Sequence, residues 1–344
     1  MLPALALAVG LAAAQVPLLL LPPQITESSG VASSSVSDDW LFTHEDSGSD
    51  AQFLAVATDG RLLATYVLPD VQARDWEDMA RGPDEQGRSS LWLGDIGDNN
   101  ARRDMGLLVH RVPEPQPDLQ RADVQVTTEP PVSLRLRYED GPGDAETLLV
   151  HPRTGRLYVV NKPLGGSAGL YAAPEVLDPA GPNALTRVAD VNGVGSTGTP
   201  GGPGIGGVAQ LLVTGGDIAP DGSRVALRTY TDLYEWPVEG DDVAAALQGE
   251  PAVTALPSTF QGEGVAYTRD GTALLLTTEG EPAPVHRVPA ADLGDGAPAA
   301  AVPGQGPAPE EPGGRVRTVV LAGGGVLALL VLAAAVRSRR RRPR

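Results

Sequence analysis

The sequence predicts an all-β fold of the propeller type, carried outside a membrane by one C-terminal transmembrane helix. Three observations lead there: a pentapeptide that recurs along the chain, Gly-bearing turns between short apolar runs, and an acidic residue that opens each unit. With 42 Gly and 32 Pro in 344 residues, the chain carries too many breakers for a helix-rich protein.

The pentapeptide VHRVP occurs at Val109–Pro113 and again at Val285–Pro289, with relatives LYAAP at Leu170–Pro174 and LYEWP at Leu233–Pro237. Upstream of these lie strand-turn-strand runs: PDEQGRSSLWL from Pro83, HPRTGRLYVV from His151, APDGSRVAL from Ala219 and TRDGTALLL from Thr268. Gly between apolar runs is a hairpin signal because it reaches positive φ without a steric penalty. Each unit opens on an acid followed by small or apolar residues: Glu27, Glu77, Glu146, Asp217 and Glu263. A further strand-like run precedes each acid: VPLLLL from Val16, LLATYVL from Leu62, VSLRLRY from Val132, VAQLLV from Val208 and VTAL from Val253. Four short antiparallel strands per repeat describe a propeller blade. The last unit has no fourth strand of its own, and Val16–Leu21 is expected to supply it and close the ring. The acids are 50, 69, 71 and 46 residues apart. Five blades follow, or six if the extra material in the two long intervals is a degenerate copy. That material is Ala122–Thr128 and the glycine-rich Asn192–Gly207, which is read as a mobile surface insertion. A β-sandwich with long loops is the structural alternative, but it predicts no repeated pentapeptide.

On the segments ESSGVA, DWEDMA, LWLGDIGDNNARR, HPRTGRLYVVNK and QGEGVAY, the chain resembles exported bacterial propeller proteins grouped as WD40-like or hypothetical. The acid-SGVA opening is similar to that of esterase-like phytase and strictosidine-synthase-like propellers. The resemblance spans roughly 27–289 and implies the blade architecture; it supplies no catalytic residue.

The two ends suggest a location. Residues 318–336 run nineteen positions without a charge, about the length that crosses a bilayer core of ~30 Å as a helix. Six arginines follow over 337–344, which places that end in the cytoplasm by the positive-inside rule. Residues 1–14 read as an export signal, although no basic residue precedes their apolar run. The propeller is expected over 15–290, and a Pro/Gly-rich stalk that cannot bury a core over 291–317. The expected location is therefore the plasma membrane, single-pass, with the N-terminus outside and the bilayer contacted only by the C-terminal helix.

The formal charge of −17 argues against a nucleic-acid partner, whose phosphates need clustered cations. No cysteine is present, so disulfides, zinc-thiolate sites and thiol catalysis are excluded. If each acid opens an innermost strand, the residues that end the next strand share its face of the channel. One mouth should then collect Glu27, Glu77, Glu146, Asp217, Glu263 and Glu279 with Lys162 and Arg228, a set suited to binding a ligand. Two carboxylates ~5–6 Å apart repel by about 3 kcal/mol at an effective dielectric near 20. Protons, the cations Lys162, Arg228, Arg74 and Arg102, or a bound metal would relieve this. Oxygen-only donors favour Ca²⁺, with Asp46, Glu77, Asp95, Asp98 and Asn99 as candidate ligands. The structural alternative is that these acids cap turns and accept backbone hydrogen bonds. His44, between Thr43 and Glu45, is the candidate general base, its pKa expected to be raised by Glu45 and Asp46. His110 and His286 occupy matching repeat positions and read as structural, while His151 is expected in solvent. The tryptophans read as packing between blades.

The sequence thus points to a cell-surface propeller that binds a ligand or an extracellular protein at an acidic channel mouth, with structural calcium. Two alternatives stay open: a calcium-assisted hydrolase of phosphoesters, lactones or esters, and a passive interaction scaffold. Whether the chain is an enzyme is left undecided.

Overall fold

The computed structural model describes residues 16–46, 50–98, 106–163 and 165–293. The chain divides into two units, Met1–Ala299 and Ala300–Arg344, and the second lies outside the described residues. The expected export segment, the membrane helix, the arginine tail and the stalk beyond Leu293 lie outside them too. Among the described residues no helix is long and apolar enough to cross a membrane.

Nearly all regular structure is strand. After β1 (Leu19–Leu20) come β2 (Ser28–Ser33), β3 (Trp40–Glu45), β4 (Gln52–Ala57) and β5 (Leu62–Val67) as one meander. Next are β6 (Asp78–Pro83), β7 (Ser89–Asp95), β8 (Leu107–Pro113), β9 (Val124–Thr127) and β10 (Val132–Tyr138). A third meander follows as β11 (Ala145–Val150), β12 (Leu157–Asn161), β13 (Gly169–Ala172) and β14 (Pro182–Asp190). Then come β15 (Val213–Ile218), β16 (Arg224–Thr229), β17 (Asp232–Pro237) and β18 (Ala252–Ala255), and finally β19 (Gly262–Tyr267), β20 (Ala273–Thr278) and β21 (Pro284–Pro289). One short α-helix among the described residues, α1 (Val243–Ala246), precedes β18, with Asp242 capping its Ala245 N–H.

The first strands β2, β6, β11, β15 and β19 pack against one another in turn, and β19 returns to β2. A buried apolar layer lies between each meander and the next around this circuit. Sheets set radially around a common axis are the propeller architecture. Trp76, Trp92 and Trp236 are fully buried in these layers, as expected of packing residues. The recurrent pentapeptides are third strands: VHRVP lies in β8 and β21, LYAAP starts in β13, and LYEWP lies in β17. Their alternating apolar positions, such as Val109, Leu233 and Val285, are wholly buried. Third strands face the same neighbours in each repeat, which accounts for the recurrence.

The turn chemistry behaves as the sequence implies. Gly222 and Gly271 take φ of 70° between first and second strands. The preceding Asp221 and Asp270 accept from the N–H two residues on, at 2.9 and 3.0 Å. The ring closes through the N-terminal strand: Leu19 pairs with Val285 and Leu20 with Pro284, beside β21.

Two local expectations fail. VAQLLV is not a strand: Gly206–Gln210 forms a 3₁₀ turn, and the fourth strand of that unit is β14. A short apolar run has no period to tell strand from turn, and Gly206-Gly207 ahead of it favours the turn. The glycine-rich segment is also pinned rather than loose. Thr197 and Thr199 donate to Asp232 at 2.8 and 2.7 Å, and Gly202 N–H donates to Thr259 O at 2.9 Å.

The two long intervals have separate causes. Within Ala122–Thr128, β9 crosses back to pair in parallel with β5, covering that sheet's outer edge. The outer strands β10 and β14 also pair in parallel, fusing two meanders into one eight-stranded sheet.

Candidate functional site

The inner strands β2, β11, β15 and β19 begin with a register shift against their partners, at Ser28/Val31, Ala145/Thr147, Val213/Gly215 and Gly262/Val265. A bulge re-aims a side chain, and Glu146, Thr214 and Glu263 fall within these shifts. The second strands end alongside, at Glu45, Asn161, Thr229 and Thr278, so Asp46, Lys162, Tyr230 and Glu279 join the same mouth. Glu27 meets Glu279 in an isolated antiparallel bridge at the seam where the ring closes.

The electrostatics confirm that these groups converge. Burial, then the charges of Asp46, Glu146, Asp75 and Asp144, hold the Glu77 carboxyl well above the usual carboxylate range. Glu263 is raised likewise by burial, then by Glu146 and Glu279. Glu279 is pushed up to about 8 by burial and by Asp46, Glu27 and Glu146. Burial lifts Glu146 to about 7 against the opposing charge of Lys162, with Asp144 and Asp75 adding to the rise. Burial raises Glu27 and Asp144 as well.

Lys162 ion-pairs with Glu146 and donates to the Tyr230 hydroxyl at 2.9 Å. Burial alone would lower its pKa, but Glu146, Tyr230 and Glu263 outweigh that and push it well up. The other carboxylate oxygen of Glu146 is buried with no hydrogen-bond partner.

One group of three fits a metal ion. Ligand oxygens of Asp46, Asp75 and Glu77 all lie within 4.8 Å of one another. Oxygens sharing one calcium at 2.3–2.6 Å can be separated by no more than about twice that distance, so the spacing is compatible. Gly97 leaves the room: a Cβ there would overlap Glu77 Oε1 and fall 2.6 Å from Asp75 Oδ2.

Four of the five opening acids therefore gather, together with Glu279 and Lys162. The exception is Asp217. It stands fifth in β15, three residues or about 10 Å beyond Thr214, which occupies the bulge position. Its oxygens accept from Ile218 N–H and Tyr267 N–H, both at 2.8 Å, and it lies toward the opposite mouth beside Ile218 and Pro220. GDIAP resembles the acid openings in composition but not in register, and only bulge geometry distinguishes the two registers.

Arg228 reaches the region but is committed to the scaffold. Its Nη1 donates to Gly264 O at 2.9 Å and Thr277 O at 2.6 Å, leaving its charge behind Glu263. Burial lowers its pKa to about 10, so it remains a cation at neutral pH.

Of the expected metal ligands, Asp46 and Glu77 stand in the trio. Asp95 instead binds Arg74 Nε at 3.1 Å and accepts from Arg74 N–H and Asp75 N–H, bracing the loop ahead of β6 that carries Asp75. Asp98 is buried, and its N–H donates to Asp144 at 2.7 Å. Asn99 and Arg102 lie outside the described residues.

His44 does not face the carboxylates. Its ring is fully buried, stacked edge-on against Trp76 at 5.4 Å, with Nδ1 3.0 Å from Glu45 O. Burial lowers its pKa to about 4, opposite to the rise expected, so it is a neutral imidazole in the wall. His151 is buried too, with Nε2 3.3 Å from Asp241.

Sequence reasoning misses Asp75 and Asp144. Asp75 and Asp144 lie two residues before Glu77 and Glu146, the spacing that puts extended-chain side chains on one face. That parity is the available signal.

No family model matches the chain, and no curated protein sequence matches it. Among solved structures it is similar to the gluconolactonase XC5397 of Xanthomonas campestris, at 15% identity over 78% of this chain and 87% of that one, TM-score 0.43. It is also similar to a chain of the nidogen/laminin complex, at 14% identity over 74% and 72%, TM-score 0.39. U3-55K is a third, at 11% identity over 79% and 98%, TM-score 0.39. All three likenesses are distant.

Proposed function

We propose that the protein is a five-bladed propeller, exported and anchored by residues 318–336, that binds a ligand through a calcium ion at its acidic mouth. The observation that carries this reading is the spacing of the Asp46, Asp75 and Glu77 oxygens. The donor set is all oxygen, which suits a hard cation that takes six to eight such ligands. Three protein carboxylates leave coordination positions for water or an anionic ligand group. When bound, the ion supplies positive charge in a mouth where carboxylates outnumber Lys162 and Arg228. The chain's own residues hold and orient it: Asp95 steadies Asp75, and Gly97 leaves the trio unobstructed.

A hydrolytic reading would use Lys162 to hold an anionic substrate, but its charge is already paired with Glu146. A passive scaffold would work through open sheet edges, yet parallel pairing covers the outer edges of β5, β10 and β14.

The test is calorimetric and thermal titration of the metal-stripped full chain with Ca²⁺. Saturation at about 100 times Kd is expected to stabilise the fold by about 2.7 kcal/mol, a melting shift of a few degrees. Glu77→Gln should remove most of that shift; a full shift in this variant sinks the reading. For the anchor, the chain is expected in the carbonate-resistant membrane fraction, and a variant ending at Arg317 in the soluble one. Equal partitioning of the two removes the helix from the proposal.

A further inference from the structure

The opposite mouth of the channel has a different chemistry. A cavity of about 190 Å³ opens there among inner-strand residues and the turns that follow them, including Ser33, Arg81, Pro152, Asp217 and Pro220. At ~30 Å³ per water, that is room for about six waters or a small organic acid.

Arg81 stands fourth in β6, paired with Leu91, and lines this cavity. Its Nε is buried with no hydrogen-bond partner, and among the described residues the side chain is in no ion pair. Asp217 lies across from it, near enough to feel its charge. Each Asp217 oxygen already accepts one backbone N–H, from Ile218 and from Tyr267, and a carboxylate oxygen can accept more than one bond. The Nε itself is walled off, but Arg81 is half-buried and lines the cavity without an ion pair, and the planar fork of a guanidinium matches a carboxylate. The adjacent acceptor then selects a ligand with a hydroxyl or ammonium beside its carboxylate.

We propose that this second mouth binds a small α-hydroxy or α-amino carboxylate, its carboxylate on Arg81 and its neighbouring donor on Asp217. The site is independent of the calcium reading, since it shares no residue with the acidic mouth.

The experiment titrates the full chain, in excess chelator, with L-lactate, glycine, propionate and inorganic phosphate, by calorimetry or saturation-transfer NMR. Lactate or glycine should bind, with propionate about tenfold weaker because it lacks the donor. Arg81→Gln should weaken binding at least about tenfold, and Asp217→Asn should erase the preference over propionate. In the unmutated chain, saturating lactate or glycine should slow phenylglyoxal labelling of Arg81, read by peptide mass mapping. The proposal is overturned if neither ligand binds by about 20 mM, a range in which a single charge-assisted contact should register. Phosphate binding tighter than both carboxylates, or labelling of Arg81 that the bound ligand leaves unchanged, overturns it as well.

Discussion

The carboxyls of Glu77, Glu146, Glu263 and Glu279 set how the molecule responds to pH. Burial and mutual repulsion raise all four, with Glu146 near 7 and Glu279 near 8. A carboxyl whose folded pKa exceeds its unfolded one binds protons preferentially in the native state. Its contribution is complete below the unfolded pKa and is lost as pH rises through the folded one. The metal-free protein is therefore expected to lose stability from about pH 5 to about pH 9. The loss is on the order of several kcal/mol over the ring, because each tenfold gain in a carboxyl's proton affinity on folding is worth about 1.4 kcal/mol. Urea melts at a series of pH values in chelator measure this. Stability that climbs over that range would mean the acids are ionised and individually paired. Calcium competes with the same protons, so its stabilisation should be greater at about pH 8 than at about pH 6. The individual acids were legible in the sequence because charge on a repeat is conspicuous. That protons could relieve their crowding was legible too; which of them burial raises was not, and neither was the burial of His44, because strand parity turns its ring into the wall while Glu45 faces the other way.

At the scale of elements, the hairpins and third strands followed from turn residues and the pentapeptide, since both are local. The glycine-rich segment depended on a distant side chain. Asp232 is fully buried and accepts from Thr197, Thr199 and Thr231. Gly202 packs against Ala209 and Tyr230, and the Tyr230 hydroxyl in turn holds Lys162. Asp232→Ala is expected to release the Thr197 and Thr199 hydroxyls to water and leave the buried Thr231 hydroxyl unpaired, at about 1–3 kcal/mol. It should also speed hydrogen exchange over 195–210 more than elsewhere. Uniform acceleration across all strands would show instead that Asp232 holds the whole sheet. Nothing in the residues 192–207 signals this anchor, because the partner lies more than thirty positions along the chain.

For the whole molecule, closure is the decisive feature. Leu19 and Leu21 are buried against Val285, Ala283 and Leu275, joining the first sheet to the last. Removing residues 16–21 exposes that layer and unpairs β21. Burial of two leucines is worth about 3–6 kcal/mol as an upper estimate. The truncated chain is expected to melt at least several degrees lower, with hydrogen exchange rising first in β19, β20 and β21. An unchanged melting temperature would mean the ring does not depend on this strand. The closing strand was legible because the last unit was visibly one strand short.

What the sequence determined by itself was the repeat: which runs are strands, VAQLLV apart, where they turn, and which acids recur. These are encoded locally, in alternation, in Asp-Gly pairs and in a pentapeptide. The tertiary structure alone decided which acids meet. It set Asp217 at the far mouth, turned His44 inward, committed Arg228 to backbone carbonyls and joined Asp75 to Asp46 and Glu77. The physical reason is that one bulged residue, or one step of strand parity, moves a side chain to another face; a bulge leaves no mark on composition or spacing, and parity is read only where the strand's start is known.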